Sequence, residues 1–457
     1  MARPNLSAPI DGAARLSTAE IQALGSEIAR LVSRVYEEQR PLPPERAELP
    51  AVPEIGAGIS GLPALWRLIA DQSAQLASPW MTGNMDTAPH PVAALTQALV
   101  AALNNNMLFR ELSPLASDVE EQLIAFFIGK LNLPSGANGV FTSGGTIANL
   151  TALFAAVGGF ETLVARDSFH LYIPASAHIS LAKSAAILGI PSHQVHKIDC
   201  DGAGRMDPGS LHAALTSAPR QSRAIIVCVL GTTIHGSVDP IAAISEIAQK
   251  FGAWLHIDAV YGTALALSSA YRHFLDGVGS ADSIALGPQK WLYVPRLSAL
   301  VVFRGGEIFE KRLRSSLPYS LTGMPHRGQW GLQGSRPADA LVLWVVLQTL
   351  GTAALGAMID RSIDMARRFH ELLSETDTLV PTHVPDLNIQ TIRLAKPDPG
   401  GELTRMMQER LTQRGRTWLS TSRWQDQVLL RAVLLSPAIT EGHLRNYVDD
   451  IVSTVEH

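Results

Sequence analysis

Short apolar runs alternate with helix-like segments between about residue 138 and residue 305, and this alternation constrains the fold more than any other feature of the chain. The runs are rich in β-branched residues, and some, such as RAIIVCVLGTT at 223–233, are apolar on both faces. Strands of this kind are typical of a parallel sheet that helices cover on each side. The segment therefore predicts an α/β domain with a mainly parallel sheet.

The segments that flank this domain have different patterns. Ser17, with Glu20 three residues later, forms a capping box that begins an amphipathic helix over 17–39, and a proline-dense arm follows at 40–56. Near the C-terminus, the order strand, helix, strand, helix predicts a small α+β domain. We therefore predict three parts: an N-terminal helical segment and arm over 1–95, a large domain over 96–360 and a small domain over 361–457.

Composition argues against several classes of protein. Of the 457 residues, 46% are hydrophobic and 17% are charged, which is typical of a globular chain with a large core. The net charge of −4, with no long basic run, argues against a nucleic-acid partner. The two cysteines, Cys200 and Cys228, lie in strand-like contexts and predict buried free thiols in a reducing cytoplasm. The first residues lack the apolar core of a secretory signal, which also favours a cytoplasmic location.

One apolar run, at 340–359, approaches the length of a membrane span. Polar residues and glycine interrupt it at Gln348, Thr349, Gly351 and Thr352. We therefore expect a buried helix that bends near Gly351, and no association with a membrane.

Two motifs place chemically useful residues beside predicted strands. Gly144, Gly145 and Thr146 form a turn between a strand and a helix, where backbone amides can hold a phosphate, although such a turn is more often only a turn. Asp258 lies near the carboxyl end of a buried strand, which is the edge where parallel sheets bind ligands. His256 on the same strand face permits a metal pair, but no third ligand stands at a useful spacing, so we expect no metal.

Lys290 is the third candidate, at the end of the next predicted strand and beside the bulky Trp291. An ammonium buried without a partner is costly, so this lysine either reaches solvent or is buried for chemistry. A buried lysine suits imine formation, and an aspartate can pair with a pyridinium nitrogen. Together with the glycine turn, Lys290 and Asp258 therefore predict a pyridoxal phosphate site.

The chain resembles the group II pyridoxal-phosphate decarboxylases, which include the aromatic-amino-acid, glutamate and histidine decarboxylases. Six blocks carry the resemblance in the family's order and spacing: FTSGGTIANLTAL, HISLAKSAAILGI, LGTTIHGSVDPI, HIDAVYG, PQKWLYVP and SRPADALVLW. It covers nearly the whole chain from residue 87 onward. It implies the fold-type I aminotransferase architecture, pyridoxal 5'-phosphate as cofactor, and decarboxylation of an L-amino acid to an amine and CO2.

The resemblance also implies roles for individual residues. Lys290 would carry the internal aldimine, Asp258 would keep the pyridine nitrogen protonated, and His178 would stack on the ring. Further cofactor contacts are implied for Gly144, Gly145, Thr146, Thr233, Val260 and Gln289. Substrate contacts are implied for Trp80, Thr87, Asn106, Leu108 and Arg431, although ordinary packing explains most of these positions equally well. Asn106 and Leu108 would come from the partner subunit of a homodimer with shared active sites.

The chain departs from the family pattern at three places. Gln289 stands where the family usually has a phosphate-contacting histidine, and the nearby Gly287 replaces a common polar ligand. Val260 replaces a small alanine that packs against the ring. The segment 316–336 is shorter than the family's mobile loop, and Arg327 occupies the position of its proton-donating tyrosine, which leaves His326 as the nearest alternative donor.

The missing tyrosine leaves the reaction open, because the proton donor decides the fate of the carbanion. Decarboxylation is the first hypothesis. The alternative is a pyridoxal enzyme of the same fold with altered specificity, such as decarboxylation-dependent oxidative deamination, C–C cleavage or aldol-type condensation. A third hypothesis, a catalytically silent protein, is disfavoured by the intact Lys290, Asp258 and His178. The sequence does not identify the amino acid.

Overall fold

The computed structural model describes residues 16–43, 47–54, 58–161, 166–296, 298–317 and 324–455. Its helices are α1 Thr18–Glu37, α2 Leu62–Gln72, α3 Pro91–Leu103, α4 Pro114–Lys130, α5 Gly145–Ala156, α6 Ile179–Ile187, α7 Pro208–Thr216, α8 Ile241–Phe251, α9 Pro288–Trp291, α10 Gly306–Leu313, α11 Ala340–Ser374, α12 Glu402–Arg414 and α13 Glu441–Val455. Its strands are β1 Asn138–Thr142, β2 Phe169–Pro174, β3 Val195–Ile198, β4 Arg223–Val229, β5 Trp254–Ala259, β6 Ser283–Leu286, β7 Ala299–Phe303, β8 Leu379–Pro381, β9 Ile389–Leu394, β10 Ser420–Trp424 and β11 Gln427–Val433.

The large domain is built on a seven-stranded sheet in the order β1-β7-β6-β5-β4-β2-β3. Strands β2 to β6 run parallel, whereas β7 is antiparallel to both of its neighbours, β6 and β1. Alternate residues of β4 belong to different hydrophobic clusters, with Ile226 and Cys228 in one and Ile225 and Val227 in another. Both faces of the sheet are therefore buried, which confirms the predicted α/β fold.

The small domain is a four-stranded antiparallel sheet in the order β10-β11-β9-β8, packed with α12 and α13. Its core includes Phe369, Ile392, Leu430 and Tyr447. The sequence pattern predicted β11, and it predicted a single strand where the structure has β8 and β9. It missed β10, because none of the five residues of that strand is buried and only one of them is apolar.

Helix α11 joins the two cores. Leu343 packs in the core of the large domain and Phe369 in that of the small domain, while Gly351 between them has φ 76° and ψ 160°. The predicted bend near Gly351 is confirmed. By length and hydropathy alone this helix could also cross a membrane. The predicted boundaries at 95 and 360 fall inside α3 and α11, so the division into three parts stays a prediction.

Two local predictions can be compared directly with the structure. The amide of Ser17 donates to the Glu20 carboxylate at 2.8 Å, and the amide of Glu20 donates to Ser17 Oγ at 3.3 Å, so the capping box is confirmed. Both cysteines are free thiols. Cys228 is buried in β4, but the prediction of full burial was wrong for Cys200, which follows the short strand β3 and is half-buried.

Candidate active site

A cavity of about 460 Å³ opens at the carboxyl edge of the parallel strands, beside the small domain. It brings together ten of the residues predicted to form the site: Gly144, Gly145, Thr146, His178, Thr233, Asp258, Val260, Gln289, Lys290 and Arg431. They come from turns and strands that are up to 287 positions apart in the sequence, from Gly144 to Arg431.

Lys290 lies on the one-turn helix α9, four residues after β6, and not at the end of the strand itself. Trp291 anchors this turn, because its side chain is 1% exposed and stacks on Tyr261 with ring centroids 5.3 Å apart. The Nζ of Lys290 faces the cavity and lies 3.5 Å from Oδ1 of Asp86. The lysine is therefore partly buried next to a carboxylate and does not lack a partner.

Asp258 lies at the cavity end of β5 within a chain of hydrogen bonds. Its carboxylate accepts from Asn149 Nδ2 at 2.9 Å and from the amide of Val260 at 3.2 Å. Burial raises the pKa of the Asp258 carboxyl, although these two donors and the nearby Lys290 and His178 oppose the rise. A buried carboxylate of this kind gains most from a positively charged partner in the cavity.

His256 supports Asp258 from behind. Its Nε2 lies 3.1 Å from Asn149 Oδ1, and its Nδ1 lies 3.0 Å from Ser283 Oγ. Burial lowers the pKa of His256 to about 4, so the ring is neutral at physiological pH. Both ring nitrogens are engaged in the network that orients Asn149.

The glycine turn begins α5 and lies against Val260. A Cβ at Gly145 would come within 2.7 Å of Val260 Cγ1, and a Cβ at Gly287 within 2.4 Å of the Val260 carbonyl. The larger valine at position 260 thus fits because glycines stand on two sides of it. The departures at 260 and 287 are structurally linked.

Gln289 faces the same turn. Its Oε1 is buried and has no hydrogen-bond partner in the described part of the chain, and its Nε2 is 3.9 Å from the position of a Cβ on Gly144. The Nε2 group can donate to a phosphate oxygen in the open space beside Gly144. The unpaired Oε1 is an acceptor and needs a donor, which a phosphate dianion does not supply.

His178 and Arg431 also line the cavity. The amide of Ser180 donates to Nδ1 of His178 at 3.1 Å, which fixes the imidazole at the start of α6. Arg431 on β11 is 6% exposed and donates to the Gly83 carbonyl at 2.9 Å, whereas its Nε has no partner within the described residues. Burial lowers the pKa of Arg431.

Four residues predicted to contact substrate do not line this cavity of their own chain: Trp80, Thr87, Asn106 and Leu108. Trp80 packs edge-on against Tyr447 and His443. Ordinary packing, the alternative to a substrate contact, therefore accounts for its position. The side-chain amide of Asn106 donates a hydrogen bond to Ser335 Oγ at 3.3 Å. Contacts of Asn106 and Leu108 with a partner's site stay a prediction.

His326, the suggested proton donor, does not line this cavity either. It is 2% exposed, its Nδ1 accepts from the amide of Arg110 at 3.2 Å, and its ring packs edge-on against Phe109. The neighbouring Arg327 is also buried and pairs with Glu120 at 3.0 Å. Both side chains face the protein interior beside α4, so a role for His326 in the site of its own chain has no geometric support. Tyr319, the tyrosine of the segment 316–336, lies outside the described residues.

The sequence analysis missed seven polar residues that line the cavity: Asn84, Asp86, Ser143, Asn149, Ser180, Tyr261 and Arg296. Asp86 stands between Met85 and Thr87, in a segment that had been associated with substrate. The presence of a charged residue in this segment was the only available signal.

The sequence profile described as "Pyridoxal-dependent decarboxylase conserved domain" matches residues 64–383. This chain belongs to the pyridoxal-dependent decarboxylase family. It is 28% identical over 437 residues to the aspartate 1-decarboxylase of Aliivibrio fischeri, with 83% of this chain and 80% of that protein covered. It is 29% identical over 419 residues to the L-2,4-diaminobutyrate decarboxylase of Rhizobium meliloti, with 89% of this chain and 84% of that protein covered.

The fold is shared with solved structures. The crystal structure of Oryza sativa TDC with PLP and tryptamine superposes with a TM-score of 0.89 at 22% identity, over 96% of this chain and 98% of that one. Membership of the family makes this chain a carboxy-lyase that uses pyridoxal phosphate to decarboxylate an amino acid. The open glycine turn, the Gln289 Nε2 that faces it and the buried Asp258 carboxylate fit this cofactor.

Proposed function

We propose that the chain converts an L-amino acid to the corresponding amine and CO2 in this cavity, with Lys290 as the residue that bonds to the cofactor. The observation that carries the proposal is the meeting of Lys290, Asp258 and the Gly144–Gly145 turn around one cavity. Bound pyridoxal phosphate supplies an electron sink for the bond between Cα and the carboxylate.

The protein's own residues supply orientation and charge. Asp258 would pair with a protonated ring nitrogen of the bound cofactor, and His178, held by Ser180, would pack against its ring. The spare Nε of Arg431 is the cavity's best partner for the substrate carboxylate. Loss of CO2 requires the bond between Cα and the carboxylate to stand perpendicular to the plane of the cofactor ring. Fixed contacts on both sides of the substrate would select that geometry.

Mass spectrometry of the products tests this proposal. The cofactor-loaded protein is incubated with a panel of amino acids labelled with 13C in the carboxyl group, and labelled CO2 and the matching amine are expected in equal amounts. An aldehyde product, or a product that keeps the carboxylate, would identify altered reaction specificity instead. Relatives named as decarboxylases favour the first outcome.

The relatives do not indicate the charge of the substrate side chain. Aspartate is acidic and L-2,4-diaminobutyrate is basic, and the two relatives named for these substrates match this chain about equally well. The charge of the substrate's side chain must therefore be inferred from the residues that line this cavity.

We also propose that the protein is a cytoplasmic homodimer whose sites are shared. Helix α3 exposes Leu95, Leu99 and Leu103, which recur every four residues and form an apolar stripe along one side. A second copy of the chain is the occupant we propose for this stripe, and Asn106 and Leu108 follow directly after it. The free thiols support a reducing compartment.

A further inference from the structure

Asp86 lines the cavity, yet the roles described above leave it unassigned. Its Oδ1 lies 3.5 Å from Nζ of Lys290, and its Oδ2 pairs with Arg296 at 2.5 Å. The Asp86 side chain is 20% exposed. Among the described residues, Asp86 and Asp258 are the only carboxylates that line this cavity. Since Asp258 is bonded to Asn149 and the Val260 amide, Asp86 is the carboxylate left for a substrate.

The segment that carries Asp86 is fixed against the small domain. The amide of Thr82 donates to the Trp418 carbonyl at 3.1 Å, and Arg431 donates to the carbonyl of Gly83 at 2.9 Å. A Cβ at Gly83 would lie 2.0 Å from the indole ring of Trp418, so this close approach requires glycine. Backbone contacts on both sides of the segment therefore set the position of the Asp86 carboxylate before any substrate binds.

Attachment of the cofactor changes the charges around this carboxylate. With the cofactor bound, the Lys290 nitrogen would be bonded to the cofactor's carbonyl carbon, with release of water, and would no longer be a free ammonium beside Oδ1, while Arg296 would stay on Oδ2. A partly buried carboxylate oxygen that has lost its donor is unfavourable. A new positive charge at Oδ1 would restore the original arrangement of one carboxylate between two cations.

We propose that Oδ1 of Asp86 binds a positively charged group on the substrate's side chain, so that the preferred substrates are amino acids with short cationic side chains. The inference rests on the proposed decarboxylation and names its substrate class. A neutral side chain would offer Oδ1 no positive charge, and an acidic one would meet a like charge.

The geometry also limits the length of the side chain. The substrate's α-nitrogen would replace the Lys290 nitrogen at the cofactor's carbonyl carbon and release the Lys290 amine, so we place it near the position of Lys290 Nζ in this structure, 3.5 Å from Oδ1. Because a charge-assisted hydrogen bond is about 2.8 Å long, the side-chain cation then lies within about 6 Å of the α-nitrogen. Two or three methylene groups in staggered conformations span this distance.

The test compares three amino acids of similar length on the cofactor-loaded protein: cationic L-ornithine, neutral L-norvaline and anionic L-glutamate. We expect kcat/KM for CO2 release to be at least roughly tenfold higher for L-ornithine than for either of the others. A second readout does not depend on turnover. By calorimetry, 1,3-diaminopropane should bind the loaded protein at least roughly tenfold more tightly than propylamine.

Two variants with opposite expectations sharpen the test. In Asp86→Asn both preferences should fall to within about threefold, because the carboxylate that selects the cation is gone. In Arg296→Gln both preferences should persist or increase, because a competing cation is removed. The cofactor's absorbance band reports whether each variant still binds the cofactor.

The possible results separate this inference from the proposed function. A preference for L-norvaline or L-glutamate, or an unchanged preference in Asp86→Asn, would overturn the role of Asp86 while leaving decarboxylation intact. Absence of CO2 from every amino acid on a cofactor-loaded protein would overturn the proposed function itself. If Asp86→Asn does not fold, the diamine and monoamine affinities of the unmodified protein still decide the matter.

Discussion

At the scale of single residues, burial raises the pKa of the Asp258 carboxyl, whereas two hydrogen-bond donors and a ring cation opposite it would favour the ionised form. Removing its charge should weaken the site without disturbing the strand. We expect Asp258→Asn to lower kcat by roughly 10²–10³, since a preorganised electrostatic contact of this kind is worth that much.

Steady-state kinetics and fluorescence titration of the cofactor measure the effect of Asp258→Asn. Asp282→Asn is the matched control, because Asp282 is also a mostly buried carboxylate that accepts a backbone N–H, from Leu255, yet it does not line the cavity. Retention of more than about a tenth of the activity in Asp258→Asn would contradict the assigned role.

His256 makes the stability of the folded protein depend on pH. Burial lowers its pKa to about 4 in the folded protein, below the ordinary value of 6.5, so the unfolded chain binds the proton first as the pH falls. Stability that is present above pH 6.5 is therefore lost between pH 6.5 and about 4. Urea unfolding across this window should show a shallower loss in His256→Gln than in the unmodified protein, and equal slopes would contradict the assignment.

The local sequence identified the site residues that lie close to the ends of predicted strands. Asp258, Gly144 and Lys290 each lie within a few positions of a predicted strand, so their convergence at one sheet edge followed from the α/β pattern. Asp86 was missed because a contact between Thr82 and Trp418, 336 positions apart, sets its position. No local pattern reports such a contact.

At the scale of elements, the segment after residue 324 is held by a buried cluster of charges. Glu120 on α4 accepts from Arg327 at 3.0 Å and from Arg336 at 2.6 Å, and Arg327 also donates to the Gly139 carbonyl of β1. Burial alone would raise the pKa of Glu120, but the two arginines lower it. The expectation that Arg327 merely replaces a tyrosine overlooked this role as an anchor, because Glu120 is distant in sequence.

Breaking this cluster should be costly. We expect Glu120→Gln to lower the free energy of unfolding by about 3–5 kcal/mol, because it leaves two buried arginines without their carboxylate. Urea unfolding measures the loss. The control is Glu121→Gln, which removes an exposed partner of Arg110 and should change stability by less than about 1 kcal/mol. Equal losses in the two variants would show that the cluster does not hold the segment.

At the scale of the whole molecule, the two-core architecture was accessible from sequence, since the change of pattern near residue 360 marks the small domain. The exact boundaries were not, because α11 continues through the predicted boundary and packs in both cores. A helix shared by two cores has buried apolar residues on both sides of the predicted boundary, so its sequence gives no sign of where one domain ends.

The apolar stripe on α3 makes a prediction about assembly. We expect the protein to sediment as a dimer, and Leu99→Glu to shift it toward the monomer, because a charge would be buried in the interface. Ile187→Glu on α6 is the control, since Ile187 is 68% exposed and Leu99 is 60% exposed, but Ile187 lies outside the stripe. Sedimentation velocity that shows a dimer for Leu99→Glu would exclude this stripe as the interface.

The most direct test of the whole account is to trap the cofactor on the protein. Protein loaded with pyridoxal phosphate is reduced with borohydride, digested and analysed by peptide mass spectrometry. We predict the mass of the reduced cofactor on the peptide that contains Lys290, and its loss in Lys290→Ala. The cofactor on a different lysine, or on none, would contradict the assignment of this cavity as the active site.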